Sequence, residues 1–521
     1  MVGVAGKSQA CHTCKRRRVK CDLRRPTCIR CEKANATCAG YERDSIFINS
    51  TPTQPSLTAA FVISEAKREE SKNSRRPIYE EDMRSLVSQA TNPSSYIPVE
   101  FRGNAVKLSK KIYLPQPLQT TDLNEFGSVH AWLGCISVLS QESRALDLSL
   151  LAFCVFQTQL TKTSSFSLEE GHQFYNEALQ HHRTDLQDEQ KRSRDEYIAT
   201  IIVLTTCELF IFPIDHPWRV HSLGISEILR LRGQFVPQTR IWNSLYSRLR
   251  IVCILDGLTK QKPLVLLADD WPDASKCIYS QPIDRLLDIA IDIPASLAQS
   301  NALMDDPHPE QQDYELARIV KEFIDVINKI YSWQQHRTNL RPYSAVLSQI
   351  HNPADDKYPT KLFPFTLEFE SLDSAILFSF TWAIYLQVFN KLIHIHQWFH
   401  SRAAYLPALR ELFGHDVQQD LQTTFFSDLC YMNPDKVSIS FINTEADRLS
   451  RLLCQCIGYC YRADMGTIGP QSCRYLQWVM RQFFRQNAGY ERELEWVLQI
   501  KYVTGPGLHE QLGLMEFDDN P

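Results

Sequence analysis

The chain has few glycines and lacks the short motifs that mark the common enzyme classes. Glycine accounts for 18 of its 521 residues. None of them forms a phosphate-binding loop of the type G-x-x-x-x-G-K-S/T or a dinucleotide-binding G-x-G-x-x-G turn. The nucleophile elbow G-x-S-x-G and the zinc-protease motif H-E-x-x-H are absent as well. We therefore expect a protein that is not an enzyme.

The sequence also lacks an uninterrupted apolar run of the length that a membrane span needs, about 20 residues. Its most apolar stretch, residues 371–400, is interrupted by four polar residues, Asp373, Gln387, Asn390 and Lys391. We predict a buried core helix there and no membrane partner. Met1 to Gln9 lack the apolar core of a signal peptide, and sixteen cysteines without such a leader indicate a reducing compartment.

Charge is unevenly distributed along the chain. Residues 1–43 contain eleven Lys or Arg and three acidic residues, a formal charge of +8. Residues 44–521 contain 45 basic and 57 acidic residues, a formal charge of −12. This asymmetry is typical of a nucleic-acid-binding head on a body that avoids DNA.

Six cysteines near the start follow the spacing C-x2-C-x6-C-x6-C-x2-C-x6-C, and the last three repeat the first three after seventeen positions. A structural zinc ion takes four ligands, and thiolate is a favoured donor. One ion would leave two thiols unused, whereas two ions require two symmetry-related thiolates to bridge them. A disulfide framework is the alternative, but C-x-x-C pairs are more often metal chelates. The pattern predicts two Zn²⁺ held by Cys11, Cys14, Cys21, Cys28, Cys31 and Cys38.

This stretch resembles the DNA-binding domain of the fungal Zn2Cys6 transcription factors. The resemblance covers the six cysteines, the basic run at residues 15–20, the Cys21-Asp22 pair and Pro26. It implies that Cys11 and Cys28 are the bridging ligands. One ion would then be held by Cys11, Cys14, Cys21 and Cys28, and the other by Cys28, Cys31, Cys38 and Cys11.

The basic run follows Cys14 directly and holds five cations in six residues. Such charge density on a rigid metal scaffold predicts binding to double-stranded DNA, although a lone basic run is usually a solvated face or an import signal. The resemblance implies that Arg17 and Arg18 enter the major groove over a CGG-type triplet, where arginine can contact guanine O6 and N7. The other cations are expected at phosphates, which fix register without reading sequence: Lys15, Arg16 and Lys20.

Residues 45–95 are predicted to be a flexible linker. They are rich in Ser, Thr and Pro and then in mixed charges, so they cannot bury enough apolar surface to order themselves. Many relatives carry a coiled coil at this place, but no a/d heptads are sustained between Ser45 and Asn92. Any homodimer contact is therefore expected in the larger domain.

The remaining chain has the periodicity of helices. Ser167-Leu-Glu-Glu170 is a capping box, and YIATIIVLTTCELFIF is apolar nearly all round, which indicates a buried helix. Further amphipathic segments lie near 241–258, 311–333, 442–462 and 472–486. FYNEALQHHRTDL, the ELF at Glu208 and WRVHSLGISEILRLRG resemble the helical regulatory domain found behind many fungal zinc clusters, which implies regulatory and partner-binding work.

Two other clusters of metal-ligating side chains are better explained without a metal. His396 and His400 are one helical turn apart but lie at a polar helix end. Cys456 and Cys460 share a helical face, where buried cysteine commonly acts as a small hydrophobe. We expect no metal at either place.

The fold class is thus predicted to be all-α, with a zinc-cluster DNA-binding domain at 1–44, a flexible linker at 45–95, an all-helical regulatory domain at 96–505 and an acidic tail at 506–521. The tail mixes apolar and acidic residues as activation segments do, and a frayed terminus is the alternative. We predict a nuclear, sequence-specific RNA polymerase II transcription factor that works with the transcription machinery or co-regulators. Regulators of this size often serve metabolic or secondary-metabolite gene clusters. The alternative is a zinc-cluster co-regulator that acts mainly through protein contacts.

Overall fold

A computed structural model describes ten stretches of the chain, which belong to two compact units. The units are Met1–Arg75 and Arg76–Pro521. The described residues are 11–38 (without 12, 15–16, 18, 25–26 and 37), 77–91, 99–116, 130–139, 142–211, 239–264, 282–305, 312–335, 343–401 and 438–508.

The first unit contains the cysteine-rich stretch and, among its described residues, the short helix α1 (Ile29–Lys33). The second unit is helical from its first described residues. Its N-terminal half comprises α2 (Glu80–Thr91), α3 (Val99–Tyr113), α4 (Ala131–Ile136), α5 (Arg144–Leu160), α6 (Leu168–Asp185), α7 (Glu189–Arg192) and α8 (Asp195–Ile211).

The C-terminal half of the second unit adds longer helices and a small pair of strands. The helices are α9 (Arg240–Lys260), α10 (Pro282–Ala290), α11 (Ile293–Asp305), α12 (Gln312–Gln335), α13 (Leu372–Ser401), α14 (Ile439–Cys460), α15 (Ile468–Gln486) and α16 (Glu491–Leu498). Strands β1 (Ser344–Leu347) and β2 (Phe365–Glu368) pair antiparallel, with Ser344 opposite Glu368. Apart from this pair, which the sequence did not reveal, the described body is all-α as predicted.

Helix α5 is the centre of the N-terminal half. Nearly all of its side chains are buried, and it packs against α3, α6 and α8. Helix α6 begins at the predicted capping box, in which the Ser167 hydroxyl accepts the Glu170 N–H and the Glu170 carboxylate accepts the Ser167 N–H. Helix α8 coincides with the predicted buried segment. The predicted helix at 218–233 lies outside the described residues.

Helix α13 is the centre of the C-terminal half and packs against α12, α14 and α15. By length and composition alone it could cross a membrane, but 89% of its most apolar window is buried inside the protein, which agrees with the predicted core helix. The polar residues that interrupt it have internal partners. Gln387 Nε2 donates to the Leu258 carbonyl at 2.7 Å, the Tyr475 hydroxyl donates to Gln387 Oε1 at 2.8 Å, and Lys391 Nζ donates to Asn301.

Helix α2 corrects the predicted linker, because residues 80–91 belong to the helical unit. Met83, Leu86 and Ala90 lie on one face of α2 and are almost fully buried. The Glu80 carboxylate accepts the backbone N–H and the hydroxyl of Ser165. These three apolar residues, at helical spacing, pack the helix against the rest of the unit. In the sequence they are hard to recognise because charged residues surround them.

The two halves of the second unit meet at the turn before α15. Gly466 has φ 63° and ψ −174°, and a Cβ there would collide with the carbonyl oxygens of Tyr113 and Leu114 at the end of α3. The next residue, Thr467, donates its N–H to the Ile112 carbonyl at 3.2 Å. This turn therefore requires glycine for its backbone conformation and for the close approach of α3.

Candidate metal centre and nucleic-acid interface

The six cysteine thiols of the first unit converge into two overlapping groups of four. Within each group the sulfur atoms all lie within 4.8 Å of one another. The first group is Cys11, Cys14, Cys21 and Cys28, and the second is Cys11, Cys28, Cys31 and Cys38. The shared residues, Cys11 and Cys28, are the pair expected to bridge two ions.

The sulfur spacing fits zinc and does not fit disulfides. The Sγ atom of Cys28 lies 3.7 Å from that of Cys11 and 3.6 Å from that of Cys14, and the Sγ atoms of Cys11 and Cys31 are 3.8 Å apart. A tetrahedral site with Zn–S bonds of about 2.3 Å has sulfur–sulfur edges of about 3.8 Å, whereas a disulfide bond is about 2.0 Å long. None of these six cysteines forms a disulfide bond. They are positioned to bind two zinc ions, which confirms the predicted cofactor.

The seventeen-residue repeat in the sequence is also a repeat in the backbone. The Cys14 N–H donates to Cys11 Sγ at 3.3 Å, and the Cys31 N–H donates to Cys28 Sγ at 3.4 Å. Both bonds end on the two sulfur atoms that the groups share. A donated N–H stabilises thiolate charge, so these bonds stabilise negative charge on the two sulfur atoms that would each contact both ions.

Burial disfavours the ionised form of three thiols of this site. Burial and the neighbouring thiols raise the pKa of Cys31 to about 12, and burial also raises the pKa of Cys11 and of Cys14. Zinc binds thiolates and releases their protons, so metal affinity falls as the pH falls. The positive charge of the ions is what makes so dense a group of sulfurs stable.

Asp22 holds the second half of the unit against the first. Its carboxylate accepts the N–H groups of Ile29 at 3.1 Å and Arg30 at 3.2 Å, the first residues of α1. Desolvation opposes ionisation, but the backbone donors outweigh it and lower the pKa of Asp22. The resemblance included the Cys21-Asp22 pair without a role for the aspartate. Sequence reasoning missed this role because the capping side chain lies seven positions before the helix it caps.

One cation of the unit is already committed to an internal ion pair. Arg24 pairs with Glu32, whose carboxylate also accepts the Thr27 hydroxyl at 2.7 Å. The Thr27 and Arg24 hydrogen bonds lower the pKa of Glu32. The formal charge of +8 already counts both members of this pair, so the pair leaves the net charge unchanged and makes Arg24 less available to a ligand.

The basic run is only partly described. Lys15, Arg16 and Arg18 lie outside the described residues, so their place in an interface stays a prediction. Arg17 and Lys20 are exposed, and within the described part of the chain neither faces a carboxylate. The Arg17 N–H donates to the Thr13 carbonyl at 3.0 Å, which forms a helical turn directly after the first cysteines.

The other predicted metal-free clusters lie in the helical body. The rings of His396 and His400 are 4.4 Å apart, and Cys456 lies in the buried core. Within the described stretches, three or more metal-ligating groups come together at the two cysteine quartets and not at these residues. Cys456 and Cys460 pack in the hydrophobic core of the body, whereas His400 is exposed.

Comparison with known proteins gives matches to two family models. The fungal Zn(2)-Cys(6) binuclear cluster domain matches residues 9–45, and the fungal specific transcription factor domain matches residues 127–393, about half of the chain. Neither description names an enzyme. No solved structure matches the chain significantly.

Two curated proteins are similar to a short part of the chain. Arginine metabolism regulation protein II of Saccharomyces cerevisiae is 54% identical over 41 residues, which is 8% of this chain and 5% of that protein. White-opaque regulator 2 of Candida albicans is 53% identical over 32 residues, 6% of this chain and 7% of that protein. The chain thus spans only a small fraction of the length of these relatives.

Proposed function

The chain belongs to the fungal specific transcription factor family and carries a Zn2Cys6 binuclear cluster domain, and from this premise we propose that it is a nuclear, sequence-specific regulator of RNA polymerase II transcription. The observation that carries the proposal is the pair of four-sulfur groups that share Cys11 and Cys28, next to an exposed basic turn. A metal-held module of this size with dense positive charge is suited to duplex DNA.

The two zinc ions have a structural role in this proposal. Cys11 and Cys28, which both groups share, would hold both ions, and each of the remaining four cysteines would hold one. Two Zn²⁺ with six thiolates carry a net charge of −2, which repels DNA. The basic side chains must therefore supply all of the electrostatic attraction, and residues 1–43 keep a formal charge of about +6 after this correction.

The helical turn that begins at Thr13 is the element we place in the major groove, as zinc-cluster modules place a short helix there. Arg17 and Arg18 read a CGG-type triplet through guanine O6 and N7. Lys15, Arg16 and Lys20 bind phosphates and set the register. Arg24 contributes less because it is paired with Glu32.

The helical body supplies regulation. Residues 44–521, which contain the body, carry a charge of −12 that disfavours contact with DNA. The surfaces of the body recruit co-regulators or the transcription machinery and contain any homodimer contact. We keep the zinc-cluster domain at 1–44 and the acidic tail at 506–521 as proposed boundaries. The regulatory domain extends to α2, before residue 96.

A binding experiment with the full chain tests the proposal. We expect zinc-loaded protein to bind duplexes with a CGG triplet more tightly than the same duplexes with the triplet scrambled, in fluorescence anisotropy. Arg17→Ala should remove this preference. Lys33→Ala, which removes an exposed cation from the end of α1, is the matched control and should retain it. Mapping of bound sites across the genome then gives half-site spacing and targets.

Equal binding of both duplexes by the native chain would reject the proposal. It would favour the alternative function, a co-regulator that acts through protein contacts. Retention of the preference in Arg17→Ala would reject only the residue assignment.

A further inference from the structure

A cavity lies in the core of the helical unit, where α8 and α9 meet α13 and α15. It has about 770 Å³ of space outside protein atoms, a figure that includes open solvent on its open side. Most of its wall is apolar and comes from all four helices. The aromatic and aliphatic wall includes Leu209, Ile251, Val252, Phe380, Ile468 and Tyr475.

Two hydrogen-bond donors on the cavity wall have no protein partner. Gln471 is 6% exposed, and its Oε1 accepts the Tyr113 hydroxyl at 2.6 Å, which leaves its buried Nε2 group without an acceptor. Arg248 Nε is also buried without an acceptor. Its Nη2 makes one long contact, 3.4 Å to the Thr206 hydroxyl. A buried donor without a partner costs about 1–3 kcal/mol, so both positions favour an occupant with acceptor atoms.

The charges of the wall favour an anion. The Arg248 guanidinium lies 5.7 Å from the centre of the Trp132 ring, and the hydrogen bond of its Nη2 goes to a neutral hydroxyl group, that of Thr206. Among the described lining residues, the acidic Asp256 is paired with Lys260. The positive charge of Arg248 therefore remains after this pair is counted.

We propose that this cavity binds a small apolar molecule that carries one carboxylate. The carboxylate accepts from Arg248 and Gln471, and the apolar part packs against Phe380, Tyr475 and the aliphatic side chains. A cation is disfavoured by the positive charge of Arg248. A fully polar ligand would leave the apolar wall in contact with polar groups that find no partner there.

The site gives the helical unit a place where a metabolite can act. Its walls come from α8 in the N-terminal half and from α9, α13 and α15 in the C-terminal half. By mass action, a bound molecule stabilises the arrangement of the four helices that forms its site. This inference concerns the helical unit alone and does not depend on DNA reading by the zinc cluster.

The test compares 4-phenylbutyrate with 4-phenyl-1-butanol, which has the same apolar part and no charge, by calorimetric titration of the full zinc-loaded chain. We expect saturable one-to-one binding of the acid, at least about tenfold tighter than the alcohol, as a charge-assisted hydrogen bond provides. Arg248→Met should lower acid affinity about tenfold and leave the alcohol unchanged. Arg183→Met, on the exposed face of α6, should change neither.

Three results would overturn the proposal: no saturable binding of the acid, equal affinity of acid and alcohol, or unchanged acid affinity in a folded Arg248→Met protein. The comparison of the two probes uses the native chain and is decisive even if Arg248→Met does not fold. Val252→Phe fills the cavity from α9 and should abolish binding of both probes. Persistent binding in folded Val252→Phe protein would place the probe elsewhere and reject the site.

Discussion

Replacing Gly466 with alanine should be one of the most destabilising single-methyl additions in the helical unit. The residue has φ 63° and ψ −174°, in a region of backbone space that is essentially restricted to glycine. The new Cβ would also meet the backbone oxygens of Tyr113 and Leu114, which no side-chain rotation can move away. Either α3 or the start of α15 must shift, together with the Thr467 to Ile112 hydrogen bond.

The size of the effect follows from these two terms. A residue in this backbone region costs about 1–3 kcal/mol, and overpacking against rigid neighbours costs about 1–3 kcal/mol more. We expect Gly466→Ala to lower the free energy of unfolding of the helical unit by about 2–6 kcal/mol in total. Urea unfolding of the full chain, followed by far-UV circular dichroism, measures it.

Two other glycines separate the two terms. Gly489 also has positive φ, 90°, but nothing lies within 4 Å of a Cβ added there, so Gly489→Ala reports the backbone term alone. Gly103 lies on the exposed side of α3 with open space around it, so Gly103→Ala should stabilise by about 0.5–1 kcal/mol through helix propensity. If Gly466→Ala costs no more than Gly489→Ala, the contact with the end of α3 contributes nothing and the reasoning is wrong.

Three further predictions concern the other parts of the chain. Chelation should release about two zinc ions per chain and abolish DNA binding, because a short cysteine-rich segment cannot build its own core. The far-UV circular dichroism of the helical body should persist. Release of only one ion would contradict the shared-ligand arrangement. Arg18→Ala should cost about 1–3 kcal/mol of binding free energy on the cognate site and relax base preference. Lys20→Ala should weaken binding to all DNA sequences alike and reduce the slope of the salt dependence by about one. Equal losses of affinity on cognate and random DNA in both variants would reject this division of roles. Truncation after Gly507 should lower reporter output at matched protein abundance if the acidic tail activates transcription, and unchanged output would leave the tail as a terminus.

The zinc cluster could be predicted from the sequence because its chemistry is local. All six ligands lie within 28 residues, and the coordination number of zinc fixes how many must be shared. The contribution of Asp22 could not be foreseen, since it depends on how the second half folds back onto the first. The ion pair between Arg24 and Glu32 depends on the same folding and could not be foreseen either.

In the helical body, the periodicity of the sequence predicted individual helices but not their packing. Segments near 241–258, 311–333, 442–462 and 472–486 correspond to α9, α12, α14 and α15. Helix α2 was missed because its few apolar residues lie among charges, and only burial against α5 distinguishes it from a linker. The cavity could not be predicted at all, because Arg248 and Gln471 are brought together by helices far apart in sequence.

The hydrogen bonds along α13 also determine its register. An apolar helix of 30 residues could shift along its neighbours by one turn of about 5.4 Å and still bury apolar side chains against apolar side chains. Gln387 and Lys391 remove that freedom, because each finds its partners, Leu258, Tyr475 and Asn301, in one alignment only. A slipped helix would bury an amide and an ammonium group without partners, at about 1–3 kcal/mol or more for each. The residues that interrupt the hydrophobic run thus select one packing arrangement from several that hydrophobicity alone would allow.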